Sequence, residues 1–187
     1  MPGTYLWKIL RQDFNFVDSI NKSLNEVMKY RPANTKDRQI IYQLYMEESA
    51  NPFLTYDYMT EKDFEPLYKK LLKTETLFVA EEDKEVITTY RLIPKTDRQA
   101  HTVYLGSFTI RKDRQGRGYG KQILDHIKAY LIDSGKSRIE LTVDVHNAAA
   151  ISLYKKAGFE IEGQVRNSYK RSDTGKYYDE YLMGVLL

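Results

Sequence analysis

The chain has 187 residues, of which 42% are hydrophobic and 29% are charged, and its formal net charge is +3. This composition predicts one folded domain with a short appendage rather than a disordered chain, and so small a charge does not favour a nucleic-acid binder. The chain has no cysteine, which excludes disulfides, thiolate metal sites and a cysteine nucleophile, and no apolar run approaches the roughly 20 residues of a membrane-spanning helix.

The N-terminal half predicts helices first and strands afterwards. Apolar residues recur at near-helical spacing from residue 5 to residue 28, so residues 1–29 are predicted to form a helical appendage. The main domain, residues 30–187, opens with a candidate short strand in "KYRPA" and continues with two helices, "TKDRQIIYQLYMEES" and "MTEKDFEPLYKKLLK". Thr60, with Asp63 three residues later, is typical of an N-cap for the second helix.

The period of the apolar residues then changes to two, which predicts strands. Three strands are predicted in succession, at "TLFVAEE", "VITTYRLI" and "TVYLGSFTI". Helices at "KQILDHIKAYLIDSG" and "NAAAISLYKKAG" then alternate with strands at "RIELTVDV", "FEIEGQV" and "YYDEYLMGVLL". This order predicts an α/β fold with a mixed, partly parallel twisted sheet and helices on both faces.

Three glycines lie at a predicted strand-to-helix junction in the segment "RQGRGYGKQIL". Glycine allows positive φ and close approach of a ligand to the backbone, and the helix that follows offers unpaired N–H groups and a partial positive charge. The cations around the junction are Arg111, Lys112, Arg114, Arg117 and Lys121, and Asp113 is the only opposing charge among them. The combination predicts an anion site for a phosphate group, held mainly by charge-assisted hydrogen bonds.

Two common phosphate-binding motifs fail at this junction. A Walker A loop needs glycine where Gln115 stands and serine or threonine where Gln122 stands. A dinucleotide fingerprint needs glycine at Lys121 in one register and glycine or alanine at Ile123 in the other. A flexible turn on a basic surface is the simpler alternative, but it does not explain why the turn leads directly into a helix.

The pattern Q-x-x-G-x-G from Gln115 to Gly120 resembles the acyl-CoA-binding signature of the GNAT superfamily of N-acetyltransferases. Two later segments extend the resemblance. "VHNAAAISLYKKAGFEIEG" is similar to the family's second signature, N-x-x-A-x-x-x-Y-x-x-x-G-F, and "RNSYKRSDTGKYYDEYLM" is similar to the closing segment of members that acetylate protein N-termini or small amines. The resemblance implies the GNAT fold, with acetyl-CoA as cofactor and an amine as acceptor.

The resemblance also implies where the cofactor lies. In the family, two parallel strands splay so that pantetheine enters between them, which corresponds to "YLGSFTI" and "RIELTVDV" in this chain, and amides of the glycine loop hold the pyrophosphate. Main-chain groups rather than side chains are expected to act at Phe108 and Ile110. The implied cofactor-binding residues are Phe108, Ile110, Gln115, Gly116, Arg117, Gly118, Tyr119, Gly120, Lys121, Asn147 and Tyr154.

Tyr154 matches the family's tyrosine, which protonates or hydrogen-bonds the leaving sulfur, so it is the implied catalytic acid. A core tyrosine is the alternative, because Tyr154 lies at helical spacing with Ala150 and Ala157. Asn147 is explained either as a cofactor contact or as an ordinary N-cap, and the two roles are compatible.

The sequence identifies no general base. Related protein N-terminal acetyltransferases often carry a glutamate on the strand before the loop, but that position falls at Thr102, beside His101. The candidates are Glu140 and Asp144 on the following strand and His146 at its end, and the ordinary pKa of histidine, near 6.5, suits the task. A histidine at a strand end is more often an ordinary polar residue, and a water chain or an amine that arrives neutral would serve as well.

The acceptor is expected between the loop "NPFLTYDYMTEKD" and the last two strands. Phe53, Tyr56 and Tyr58 offer aromatic faces to a cationic amine, with Asp57 and Glu61 nearby. A packed loop with solvated acids is the favoured alternative. Candidates of second rank in the closing segment are Tyr169, Tyr177, Asp179 and Glu180.

These features predict a cytoplasmic N-acetyltransferase that moves acetyl from acetyl-CoA to a primary amine by direct attack in a ternary complex. It is expected to act as a monomer or homodimer on a small-molecule or protein amine, with no nucleic acid, membrane or metal partner. One alternative is a non-catalytic acyl-CoA sensor or scaffold. The presence of Thr102 where relatives often carry a glutamate supports this alternative, and the presence of Tyr154 argues against it. A nucleic-acid-binding module that uses the basic residues 111–121 is weaker, because these charges crowd one loop.

Overall fold

The structure, a computed structural model, describes residues 28–187. The predicted N-terminal appendage therefore lies outside the described residues, apart from Met28 and Lys29. No helix in the described part is long and apolar enough to cross a membrane. The bounds of its main elements are β1 Lys29–Pro32, α1 Arg38–Tyr45, α2 Glu61–Lys73, β2 Leu77–Glu82, β3 Glu85–Pro94, β4 Thr102–Ile110, α3 Tyr119–Asp133, β5 Arg138–Asp144, α4 Ala148–Lys156, β6 Glu160–Lys170 and β7 Tyr177–Leu186.

The strands form one mixed sheet in the order β1-β2-β3-β4-β5-β7-β6. Neighbouring strands of this sheet are antiparallel except β4 and β5, which are parallel. A parallel pair needs a crossover connection, and α3 provides it between β4 and β5. The predicted α/β fold, with a mixed and partly parallel sheet, is confirmed.

Helices cover both faces of the sheet and divide the apolar residues into two clusters. α3 and α4 pack on one face, where they join residues of β2 to β5 and β7 in the larger cluster. α1 and α2 pack on the other face, against β2 and β3. Alternation along β5 shows the division, because Ile139, Leu141 and Val143 point into the larger cluster and Glu140 and Thr142 face the opposite side.

The helix ends follow capping residues in the sequence. The Thr60 side chain accepts a hydrogen bond from the Asp63 amide at 3.2 Å, and α2 begins one residue after Thr60. Asn147 caps α4 in the same way, through a bond from the Ala150 amide at 3.1 Å. Gly135 follows α3 with a φ of +71°, a conformation that glycine adopts at little cost.

Two predicted elements have different lengths in the structure. The first helix is shorter than predicted, because Thr35–Asp37 form a 3-10 turn and the α-helix begins at Arg38. The β6 strand is longer than the predicted "FEIEGQV" and continues to Lys170. Most side chains of β6 are exposed. Its second half therefore lacks the alternation of apolar and polar residues from which a strand is predicted.

The α3 helix carries a histidine that stacks on β1. The ring centroids of His126 and Tyr30 lie 3.4 Å apart, with 5° between the ring planes. Burial lowers the pKa of His126 from 6.5 to about 4, because the charged imidazolium is poorly solvated at this position. The fold therefore holds the neutral ring.

Acidification is expected to destabilise the fold through His126. The unfolded chain binds the proton near pH 6.5 and the folded chain only near pH 4, so stability falls as the pH drops through this interval, by at most about 3 kcal/mol. His126→Phe keeps a stacking ring and cannot titrate. The free energy of unfolding, measured by urea denaturation, should therefore fall less steeply below pH 6.5 in this variant, and parallel curves would contradict the assignment.

Candidate active site

The parallel strands β4 and β5 separate toward their carboxyl ends. Their pairing covers three residue pairs and ends where Tyr104 faces Glu140. Both strands continue beyond this point, to Ile110 and Asp144, without pairing with each other. An extra residue in β4 shifts its register with β3 here, and Ser107 has a φ of +49°, as in a β-bulge. The result is a gap between two strands of one sheet.

Main-chain groups of β4 face this gap. The Arg111 amide donates to the Ile87 carbonyl of β3 at 2.8 Å. Since peptide groups alternate in direction along a strand, those of Phe108 and Ile110 turn to the opposite edge, toward the gap. The Gln115 side chain donates to the Ile110 carbonyl at 2.9 Å and ties the following segment to this edge.

Residues 115–118 form a glycine turn that leads directly into α3. Gly116 and Gly118 have φ values of +73° and +89°, which other residues adopt only with strain, and a Cβ at either position would point into open space. The first helical hydrogen bond runs from the Gln122 amide to the Gly118 carbonyl, at 3.2 Å. The amides of residues 118–121 therefore have no acceptor within the described part of the chain, and they are available to an anion.

Gly120 serves close packing rather than the turn. A Cβ there would lie 2.8 Å from Cδ2 of Leu153 in α4 and 3.3 Å from Cδ1 of Ile110. Because such contacts are too short, the missing side chain lets the first turn of α3 approach α4 and the end of β4. The helix N-terminus is thus held beside the gap.

Most cations around the glycine turn are already paired with carboxylates. The expectation that Asp113 is the only opposing charge is wrong, because the β2–β3 hairpin and the residues after α1 bring glutamates to the turn. Arg117 has no ion pair with any residue in 28–187, so backbone amides provide most of the free positive charge. The ion pairs are Arg111 with Glu85 and Asp113, Lys112 with Glu47, Arg114 with Glu82, Glu85 and Asp113, and Lys121 with Asp125.

Glu82 joins the two ends of the glycine turn. Its Oε1 accepts a hydrogen bond from the Tyr119 hydroxyl at 2.5 Å, and its Oε2 lies 3.2 Å from Nη1 of Arg114. Only 7% of the Glu82 surface is exposed, so its charge depends on these partners. The sequence places Glu82 in a polar strand-to-strand turn, and no local pattern predicts its contact with α3.

Tyr154 of α4 lies at the side of the gap. Its ring packs between Phe108 of β4 and Phe159, with centroid distances of 6.4 and 5.7 Å. Burial, with a smaller contribution from Tyr104, raises the pKa of the Tyr154 hydroxyl, so the phenol stays protonated at neutral pH. The hydroxyl makes no hydrogen bond to another described residue, so it is available as a hydrogen-bond donor.

The splayed strands, the glycine turn and Tyr154 fall within one region that matches a protein family. The sequence profile described as "Acetyltransferase (GNAT) family" matches residues 38–159, more than half of the chain. The chain belongs to the GNAT acetyltransferase family. The family resemblance of the sequence motifs is therefore confirmed.

Individual GNAT proteins resemble the chain in fold and in part of the sequence. The spermidine N-acetyltransferase of Vibrio cholerae, solved in complex with CoA and spermine, has the same fold, with a TM-score of 0.72 and 23% identity over 85% of this chain and 95% of that one. The L-amino acid N-acetyltransferase AaaT of Escherichia coli (strain K12) is 56% identical over 46 residues, 25% of this chain and 27% of AaaT. The spermine/spermidine N(1)-acetyltransferase of Bacillus subtilis (strain 168) is 34% identical over 79 residues, 41% of this chain and 52% of that protein. The matches span about half or less of these two curated relatives.

The candidates for a general base in this GNAT chain lie in different surroundings. Glu140 sits where β4 and β5 still pair, and it forms an ion pair with Lys95. His146 is exposed in the turn after β5, and Thr102 is buried at the start of β4, away from the open part of the gap. Among these candidates, Asp144 is both buried and at the open end of the gap.

The loop between α1 and α2 contains the three aromatic candidates for acceptor binding. Tyr56 stacks on Tyr45 of α1 with 5.5 Å between ring centroids, and its hydroxyl accepts from Arg91 at 3.4 Å. Phe53 and Tyr58 are 39% and 47% exposed. Tyr56 therefore packs against the body of the domain, whereas Phe53 and Tyr58 are accessible to a ligand.

The acids near this loop already have partners. Asp57 accepts a hydrogen bond from the Ser172 amide of the β6–β7 hairpin at 3.2 Å. Glu61 forms an ion pair with Arg38 at 2.9 Å. The predicted role of these two acids in attracting an amine is weakened by these contacts, while the bond to Ser172 ties the loop to the closing hairpin.

The β6–β7 hairpin also contacts β5 beside the gap. The Tyr169 hydroxyl donates to the Asp144 carboxylate and lies 3.3 Å from the Pro52 carbonyl oxygen. Asp179 is bonded within the hairpin, and Tyr177 is 59% exposed near its end. Of the four second-rank candidates, the structure brings Tyr169 and Glu180 to Asp144, and it leaves the side chains of Tyr177 and Asp179 away from it.

Neutralising Glu82 is expected to destabilise the domain. Glu82→Gln keeps the shape of the side chain but removes the charge that Arg114 and Tyr119 share, so the free energy of unfolding should fall by about 1–3 kcal/mol. Urea denaturation measures this change. Glu85→Gln is the control, because the Glu85 side chain is 60% exposed and its pairing with Arg111, together with a contact to Arg114 at 4.0 Å, should contribute less than about 1 kcal/mol. Equal stabilities of the two variants would argue against the role of Glu82.

Proposed function

We propose that the protein transfers an acetyl group from acetyl-CoA to a primary amine by direct attack in a ternary complex. The observation that carries this proposal is the gap between β4 and β5, with the unpaired amides of residues 118–121 at one end and the Tyr154 hydroxyl at its side. Direct attack fits a chain that has no cysteine to form an acyl-enzyme.

Acetyl-CoA is the co-substrate, and the glycine turn suits its diphosphate. Open space over Gly116 and Gly118 gives phosphate oxygens access to amides that lack an acceptor in the described part of the chain. Arg117 adds a positive charge at the same place. Main-chain groups of Phe108 and Ile110 would bind the pantetheine amides along the free edge of β4, as an added strand does.

Tyr154 is the proposed proton donor in the transfer. The neutral acceptor nitrogen attacks the thioester carbonyl carbon, the carbon–sulfur bond breaks, and the nitrogen loses one proton while the sulfur gains one. Because its pKa is raised, the Tyr154 phenol remains a hydrogen-bond donor throughout and can direct its proton to the sulfur as charge develops there. Asn147 uses its side-chain oxygen to cap α4, which leaves its amide nitrogen for the proposed cofactor contact.

The names of the relatives support an amine as the acceptor. AaaT is named for L-amino acids, and the Bacillus subtilis relative is named for spermine and spermidine. These acceptors share a primary amine and differ in charge. The primary amine is therefore the class that the proposal adopts.

A non-catalytic acyl-CoA sensor on the same fold is the second candidate. The ion pair that occupies Glu140 favours it, as does the threonine at Thr102. The unpaired hydroxyl of Tyr154 favours the enzyme. Release of free CoA thiol from acetyl-CoA in the presence of a panel of amines distinguishes them, because a sensor binds acetyl-CoA without releasing the thiol.

Replacing Gly118 by aspartate is expected to abolish CoA binding. Gly118→Asp places a carboxylate against the phosphates and a side chain at a φ of +89°, so the dissociation constant for CoA should rise by about 100-fold or more in isothermal titration calorimetry. Gly135→Asp is the matched control, because Gly135 also has positive φ and open space around it but follows the other end of α3. Retained binding in Gly118→Asp, or equal loss in both variants, would refute the phosphate site.

Removing the Tyr154 hydroxyl is expected to slow turnover without weakening cofactor binding. Tyr154→Phe keeps the ring between its aromatic neighbours, so thiol release should slow by about 10²–10⁴ while the dissociation constant for CoA stays near the wild-type value. Tyr90→Phe is the control, because Tyr90 is buried in the same apolar cluster. Unchanged turnover in Tyr154→Phe would remove it as the acid.

A further inference from the structure

The open end of the gap contains a buried carboxylate that has no cation beside it. Asp144, the last residue of β5, has 3% of its surface exposed. Its Oδ1 accepts a hydrogen bond from the His146 amide at 2.7 Å, and its Oδ2 accepts from the Tyr169 hydroxyl. It forms no ion pair with a residue in the described range. Neutral donors compensate a buried carboxylate only in part, so this position favours the arrival of a cation.

A second carboxylate lies on the same face of the sheet. Glu180 of β7 is the direct cross-strand partner of Asp144, so the two side chains leave the sheet next to each other, with Cβ atoms about 5 Å apart. Glu180 is half-buried and accepts a hydrogen bond from the Ser168 hydroxyl at 2.5 Å. Within residues 28–187 it also lacks an ion pair. Two neighbouring carboxylates without a cation produce a strongly negative potential.

Tyr169 and the Pro52 carbonyl border these carboxylates on the side of the α1–α2 loop. The Tyr169 hydroxyl lies 3.3 Å from the Pro52 carbonyl oxygen while it is bonded to Asp144. We call the surface formed by Asp144, Glu180, Tyr169 and Pro52 the acceptor recess. Its polar lining consists of oxygen atoms that can accept hydrogen bonds, and an ammonium group, with three N–H donors and no acceptor, matches such a lining.

A buried hydroxyl lies near the bulge of β4. Tyr45 of α1 is 0% exposed, and its hydroxyl has no hydrogen-bond partner among the described residues. It lies near the side chain of Ser107, the bulge residue of β4. If the pairing of Tyr104 with Glu140 is continued along both strands, Ser107 lies opposite the residue that precedes Asp144. A buried hydroxyl needs a hydrogen-bond partner, and the neighbouring Ser107 side chain or a polar ligand between the strands can supply it.

Two cationic or basic side chains near the acceptor recess make no ion pair with Asp144. Arg171 lies close enough to Tyr169 to influence it, but its guanidinium pairs with Asp173. His146 contributes its backbone amide to Asp144, and the residue is exposed. Neither side chain neutralises the Asp144 carboxylate.

From this arrangement we propose that Asp144 and Glu180 bind a positively charged group of the acceptor, so that the preferred acceptor is an amine with a second cationic group and no carboxylate. This inference rests on the proposed acetyl transfer. The second cation occupies the acceptor recess while the reacting amine, in its neutral form, lies in the gap near Tyr154. Asp144 is thus a specificity-determining residue. An amine with a carboxylate at the same distance is disfavoured, because its negative charge would face two others.

Two probes of equal length test the proposal. The first is 1,4-diaminobutane, and the second is 4-aminobutanoate, which has a carboxylate in place of one aminomethyl group. Isothermal titration calorimetry of each probe into protein saturated with CoA measures binding without turnover. The wild type should bind the diamine at least about tenfold more tightly than 4-aminobutanoate, and Asp144→Asn should lose about 10–100-fold of the affinity for the diamine.

Asp97→Asn is the matched control. It makes the same Asp-to-Asn change and also removes one negative charge. Asp97 is exposed and precedes β4, so it lies at the end of β4 opposite to the open gap. Asparagine tolerates the φ of +54° at this position. This variant should bind both probes as the wild type does. If Asp144→Asn does not fold, Glu180→Gln and Tyr169→Phe replace it, each with an expected loss of about 3–10-fold for the diamine.

The outcomes separate this inference from the proposed acetyl transfer. Wild-type diamine affinity in Asp144→Asn, or in both replacement variants, would overturn the acceptor recess, as would equal binding of the two probes by the wild type. A wild type that binds the diamine through Asp144 but acetylates no amine would overturn the acetyl transfer and leave the cation site standing. Faster acetylation of 4-aminobutanoate than of the diamine would overturn the specificity alone.

Discussion

The separation of β4 from β5 is the constraint on which the rest of the site depends. Two parallel strands that stayed paired would satisfy each other's main-chain groups and leave no room for a ligand. The extra residue at Ser107 lets β4 keep its pairing with β3 while it moves away from β5. The glycine turn, Phe108 and Tyr154 then border the free edge, so an edge that would otherwise pair with another chain is kept for a ligand.

The two sides of the gap have opposite electrostatic character. At the glycine turn, the amides of residues 118–121 and Arg117 present positive charge. At the open end, on the face that carries α1 and α2, Asp144 and Glu180 present negative charge. The proposed anionic co-substrate and the proposed cationic acceptor would therefore each find a complementary surface, and the reacting atoms would meet where the strands diverge.

The sequence predicted the glycine turn and the helix caps better than the contacts around Asp144, for a physical reason. Turn glycines such as Gly118 and helix caps act within a few residues of their position, and strand periodicity is equally local, so these features leave a pattern in the sequence. Glu82 bonds to Tyr119 across 37 positions and Tyr169 bonds to Asp144 across 25. Pairings of this kind depend on the finished sheet. The mistaken expectation about Asp113 has the same cause, since its competitors come from distant segments.

The pairing of the cations around the glycine turn bears on how the protein responds to its ionic environment. Exposed, mobile lysines and arginines lose attraction for a polyanion as dissolved ions screen them, whereas peptide dipoles held at a helix end in direct contact with their ligand are screened much less. With four of the five cations already neutralised by carboxylates, capture of a phosphate ligand would rest on the backbone itself. The affinity of such a protein for that ligand would change little with ionic strength.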